Sequence, residues 1–130
     1  TEKVFPEHLA FFMLHHLHHP ERTVLFHHIE ERLSITGQGV HELFYTLYQI
    51  RKKRLRIIIR MTENYLESIQ SHMTVRDYLA SIWSITYGAA AILNSSFYQR
   101  YLGSRDTLRV ACIDQALAIP KQASDSIHCA

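Results

Sequence analysis

Six of the ten residues from 51 to 60 are basic (Arg51, Lys52, Lys53, Arg54, Arg56 and Arg60), and none is acidic. A block of this kind repels itself and attracts polyanions, so its simplest chemistry is contact with phosphate. The rest of the chain is mildly acidic, at −3 over residues 1–50 and −1 over residues 61–130, so the net charge of +2 conceals the asymmetry. The plainer reading is a solvated helix face balanced by acids elsewhere. A second cluster is His8, His15, His16, His18, His19, His27 and His28. His15 and His19 stand at i, i+4, where two imidazoles on one helix face can share a zinc or nickel ion, or can titrate together near neutral pH. The histidine pairs scatter around the helix and no cysteine is near, so they read first as the polar choice on these faces, and no metal site is expected. Catalytic residues are not expected either. Ser34, Ser84 and Ser104 lack the context of a nucleophile elbow, and Cys112 falls on an inward helical stripe. No glycine-rich phosphate loop is present, and no cofactor is expected.

Helices must position these groups. Glycine (4) and proline (3) are too few among 130 residues for the many turns of an all-β fold, and 47% apolar residues suffice for a core. No stretch is long and apolar enough to span a membrane. Two cysteines make no disulfide framework, and Thr1-Glu2-Lys3-Val4-Phe5-Pro6 does not read as a secretory signal. A cytoplasmic location is therefore expected. Pro6 opens a first helix with Leu9, Phe12, Met13 and Leu17 inward, and Pro20 ends it. Thr23 can cap a second helix with Leu25, Phe26, Ile29 and Leu33 inward, closed by a tight turn at Ser34-Ile35-Thr36-Gly37. A third carries Val40, Leu43, Phe44 and Leu47. A long fourth carries Leu55, Ile58, Ile59, Thr62, Tyr65, Leu66 and Ile69, although Ile57-Ile58-Ile59 is β-branched and could form a short strand. After Gln70–Met73 a cap at Thr74 with Asp77 starts a helix with Val75, Leu79, Ile82 and Trp83 inward. A turn at Ser84-Ile85-Thr86-Tyr87-Gly88 leads to a helix through Ile92, Leu93, Ser96, Phe97 and Tyr101. A last helix runs from about Ser104 to Ile119 and stops at Pro120.

The pattern repeats after fifty residues. Ser34-Ile35-Thr36 recurs as Ser84-Ile85-Thr86, and Ile29, Leu33, Leu43 and Leu47 match Leu79, Trp83, Leu93 and Phe97. Each copy is a short helix, a turn and a longer helix, the outline of a helix-turn-helix. The second helix of each copy would then face a major groove with Gln38, His41, Glu42, Tyr45 and Gln49, or with Asn94, Ser95, Tyr98, Gln99 and Arg100. Glutamine and asparagine can read adenine, and arginine can read guanine or hold phosphate. The DNA-contacting set so defined is Gln38, His41, Glu42, Asn94, Ser95, Gln99 and Arg100, with Arg51, Lys52, Lys53 and Arg54 on the backbone.

Two such units joined by a long helix resemble the AraC/XylS family of bacterial transcription regulators. Glu31 to Phe44 is similar to the family's first helix-turn-helix, and Phe97 to Arg109 resembles the end of its second signature. Arg60-Met61-Thr62-Glu63 lies where the family's linker helix carries an Arg-Leu/Met pair. The resemblance implies an all-α fold with two helix-turn-helix subdomains, 5–54 and 71–119, bridged by a helix at 55–70; residues 120–130, which have little to bury, are expected to be a flexible tail. It also implies sequence-specific binding of double-stranded DNA, RNA polymerase as a further partner, and no membrane. The rival reading is a helical protein–protein interaction module, an adaptor or secretion chaperone that treats 51–60 as a partner-binding or solvated face and binds no DNA.

Overall fold

The computed structural model describes the backbone of residues 4–36 and 41–129, and the side chains of residues 4–32, 45–46 and 49–121. Among these the chain is all-α: α1 (Val4–His18), α2 (Pro20–Thr36), α3 (His41–Ser68), α4 (Val75–Leu93) and α5 (Arg105–Cys129), with a single 3₁₀ turn at Tyr98–Arg100. The expected all-α class is what the structure shows.

α4 is the centre. It buries Tyr78, Leu79, Ile82, Thr86, Ala89, Ala90 and Leu93, and α1, α2, α3 and α5 all pack against it. α1 turns Phe5, Leu9, Met13 and Leu17 onto it, the inward face expected from their spacing. From α5 come Ile113 and Ala116. α3 adds Tyr65 and Leu66, and Phe5 stacks on Tyr65 with ring centroids 4.5 Å apart. Helix ends are closed locally. The Thr74 hydroxyl accepts from the Asp77 amide at 3.2 Å and caps α4 as expected. At the end of α3, Gln70 takes a left-handed φ of 54°. Ser71 N then donates to Leu66 O at 2.9 Å and Gln70 N to Glu67 O at 3.0 Å, the pairing that satisfies the last carbonyls of a helix. Arg109 donates from Nε to Leu17 O at 3.1 Å, so α5 satisfies an orphan carbonyl in the last turn of α1.

Several boundaries differ from the expectation. α2 starts at Pro20, which occupies the first helical position, and Thr23 lies inside the first turn and is buried. α2 continues through Ser34, Ile35 and Thr36, where a turn was expected. Its expected inward residues Leu25, Phe26 and Ile29 are exposed, because the helix meets the body through Pro20 and Thr23 instead. The third and fourth expected helices are one helix, α3, and its Ile57-Ile58-Ile59 run is helical. Ser84–Gly88 is not a turn but the interior of α4, and Trp83 is 38% exposed rather than buried. The helix expected through Phe97 and Tyr101 is replaced by the short 3₁₀ turn, with both rings exposed. α5 does not end at Pro120 but carries it inside. The stripe Val40, Leu43, Phe44 and Leu47 lies outside the described side chains.

Candidate functional site

Every residue from 51 to 60 is exposed. Among the described side chains of α3, Thr62 is the first that is fully buried, and Ile58, Met61 and Thr62 face α1 and α4 across a shared cavity. At 100° per residue, Leu55, Ile58 and Ile59 continue the stripe that Thr62 and Leu66 bury farther down, while Lys53, Arg56 and Arg60 gather on the other side, Lys52 lies at the edge of the stripe beside Ile59, and Arg51 falls on the stripe's own face. Residues 51–60 of α3 are thus amphipathic, with a partly exposed apolar stripe and a cationic back. Arg51 reaches Glu30 of α2 at 2.9 Å, an exposed pair of small energetic weight that ties the two helices. Among the described residues, Lys52, Lys53 and Arg54 have no carboxylate within ion-pair distance. The expected phosphate-contacting residues Arg51–Arg54 are thus adjacent, exposed and helical.

The expected base readers are not brought together in the same way. Gln38 lies outside the described residues, and His41 and Glu42 belong to the first turn of α3, with side chains outside them. Asn94 is the C-cap of α4. Ser95 follows it in the connection, and Gln99 and Arg100 belong to the 3₁₀ turn. Gln99 Nε2 donates to Leu93 O at 3.4 Å, folding that side chain back onto α4. Asn94, Ser95, Gln99 and Arg100 therefore do not form a face of one recognition helix, because α4 continues through the turn that would have started it.

The histidines meet a residue that sequence reasoning placed in a turn. Where α1 passes into α2, both helices face α4 across a polar cavity of about 280 Å³, bounded by His15, His16 and His19, by Arg22 and Glu30, and by Tyr87. Tyr87 follows Trp83 by one turn of α4, so an unbroken helical period through Ser84–Gly88 was the signal that would have found it. His27 stacks on the Tyr87 ring at 5.4 Å, and His16 meets it edge-on at 6.2 Å. The Thr23 hydroxyl lies 2.9 Å from His16 Nδ1 and within 3.2 Å of the His16 carbonyl, pinning the imidazole to the helix junction. His15 and His19 are 5.6 Å apart by ring centroid. Among the described residues, no group of three or more His, Cys, Asp or Glu side chains is placed to hold a metal ion. Burial, with a smaller push from Glu30, raises the Tyr87 phenol, and Arg51 pulls it the other way. Burial likewise raises the Cys112 thiol, so its nucleophilic thiolate is disfavoured.

Burial, and secondarily the charge of His15, lowers the His16 pKa. The unfolded chain then binds more protons than the folded one just below the ordinary histidine range, so stability rises with pH through that window. The Tm should therefore fall as pH drops from 7 to 5. Part of that fall should disappear in His16→Asn, which keeps a polar group near the position of Nδ1. Thermal denaturation of both proteins across this range checks it, and an identical pH profile would remove His16 as a contributor.

No family model matches the chain, and no curated protein or solved structure matches it either.

Proposed function

We propose that the protein is a helical interaction module in which residues 51–60 of α3 bind an acidic, amphipathic helical segment of another protein. The supporting observation is the pairing, within residues 51–60, of exposed Leu55, Ile58 and Ile59 with exposed cations. Uncovered apolar stripes are a hazard in solution, and a partner that covers them gains burial worth roughly 25 cal/mol per Å². The cations select that partner by charge and speed its approach. The same cations favour a second reading, duplex DNA held through its phosphates, as expected for a regulator resembling the AraC/XylS family with RNA polymerase as a further partner. Exposed isoleucines contribute nothing to phosphate contact, which is why the protein partner stands first.

Two labelled probes separate the readings by fluorescence anisotropy. One is a synthetic helix with leucines at i, i+3, i+4 and i+7 flanked by glutamates, and the other is a random-sequence DNA duplex. The peptide should bind, and a peptide of the same composition with scrambled leucines should bind at least tenfold more weakly. Steep loss of duplex binding with salt and no peptide binding would transfer the function to DNA. Each lost cation should then flatten the slope of log K against log salt by about 0.9. Binding of neither probe would leave 51–60 a solvated face and overturn both readings.

A further inference from the structure

A second cavity, about 240 Å³ in volume, lies along the same α1–α4 seam as the histidine pocket. Its walls are mostly apolar, with Phe5, Leu9 and Phe12 of α1, Ile58 and Met61 of α3, and Ile82 and Trp83 of α4, and His8 and Thr62 are the polar residues among them. The walls of the two cavities are in contact. Phe12 of the apolar one and His16 of the polar one are in edge contact, with ring centroids 4.5 Å apart. On α4, Trp83 of the first stands one turn from Tyr87 of the second. Along α1 the step from Leu9 to His16 is seven residues, about 10 Å at the helical rise. The seam thus runs from a greasy end to a polar end over the length of a medium alkyl chain.

The polar end is suited to negative charge. Arg22 and the imidazoles of His15, His16 and His19 supply donors there, with His27 beside them. The one carboxylate among the lining residues, Glu30, is already paired with Arg51 at 2.9 Å. An apolar cavity of 150 Å³ is enough to hold benzene, so this one has room for a chain segment. We propose that the α1–α4 seam binds a single-chain anionic amphiphile, its alkyl chain between Phe12, Met61 and Trp83 and its acidic head group among His15, His16, His19 and Arg22. This site shares Ile58 with the apolar stripe of α3 but includes none of the cations of residues 51–60 among its lining residues.

Trp83 is the protein's one tryptophan, so its fluorescence reports the apolar end directly. The probes are decanoate, decyl phosphate, decanol and decyltrimethylammonium, titrated below their micelle concentrations. Decanoate and decyl phosphate should give a saturable change, and the tighter of the two identifies the head group as carboxylate or phosphate. Decanol should bind at least tenfold more weakly, and decyltrimethylammonium should not saturate. Arg22 is exposed, so Arg22→Ala should fold normally, weaken decanoate severalfold and leave decanol unchanged. Lys52→Ala with Lys53→Ala should leave decanoate binding intact even if it abolishes peptide binding, which keeps the two sites distinguishable. No saturable signal with any anionic probe, in fluorescence and in calorimetry, would overturn the assignment. Equal affinity for all four head groups would overturn it too, since the seam would then be a nonspecific apolar cleft.

Discussion

Tyr78→Phe is expected to destabilise the protein by about 1–3 kcal/mol, the cost of leaving a buried polar group unsatisfied, although it removes one oxygen and no packing. The cause lies in α5. Pro120 is inside that helix and has no N–H, so the carbonyl four residues earlier, that of Ala116, loses its helical donor. The Tyr78 hydroxyl, from the first turn of α4, donates to Ala116 O at 2.9 Å in a fully buried position. One turn further, the Ser71 hydroxyl donates to Pro120 O at 2.7 Å. The helix can therefore pass through a proline because a side chain from outside it, Tyr78, supplies the donor that the ring removes, while Ser71 ties the same turn to the end of α3. Tyr78→Ala, which also empties the space against Phe5, should cost about 3–5 kcal/mol. The replacement of Pro120 isolates the hydrogen bond. In a Pro120→Ala background the new amide can reach Ala116 O, so Tyr78→Phe should cost less than about 1 kcal/mol there. Urea denaturation of the four proteins gives the coupling. Equal costs in both backgrounds would mean that the tyrosine is not substituting for the missing amide.

Met13→Ala should cost about 2–5 kcal/mol, whereas Phe11→Ala should change stability by no more than about 0.5 kcal/mol. The larger side chain has the smaller effect because of the helix register. Two residues apart on α1 is 200°, so the two point to nearly opposite sides, and Met13 is 0% exposed while Phe11 is 75% exposed. Met13 lies in the core with Leu9 and Leu17 above and below it, and truncation leaves a cavity that the rigid face of α4 cannot collapse. Chemical denaturation of the two variants measures the difference directly. Similar losses for both would mean that α1 is rotated from the position described.

Part of this architecture was legible in the residues. The scarcity of glycine and proline, with apolar positions at i, i+3, i+4, pointed to helices throughout. Leu9, Met13 and Leu17 disclosed the buried face of α1, Thr74 disclosed a cap, and the unbalanced charge of 51–60 disclosed a surface helix. These are local properties: a period, a hydroxyl three residues from an amide, a charge that burial would penalise. The candidate histidine cluster was visible too, but not the Tyr87 that closes it.

What the sequence left open depended on partners distant along the chain. Ser84, Thr86 and Gly88 favour a turn when taken alone. In the fold, Ser84 Oγ donates to Ala80 O at 2.7 Å and Thr86 Oγ to Ile82 O at 2.8 Å, which satisfies both hydroxyls without leaving the helix. Gly88 has no positive φ and faces open space, so it demands no turn either. Burial of Ala89, Ala90 and Leu93 just beyond then outweighs the local preference and keeps α4 whole. Leu25, Phe26 and Ile29 had the spacing of an inward stripe, yet α2 meets α4 elsewhere, so their spacing could mark a helix face but not which way it turned. Pro120 is the sharpest case. From its own chemistry it is a helix stop, and it is overruled by a tyrosine hydroxyl 42 residues earlier in the chain, because hydrogen-bond satisfaction in a core is settled by whichever donor the tertiary fold brings within reach.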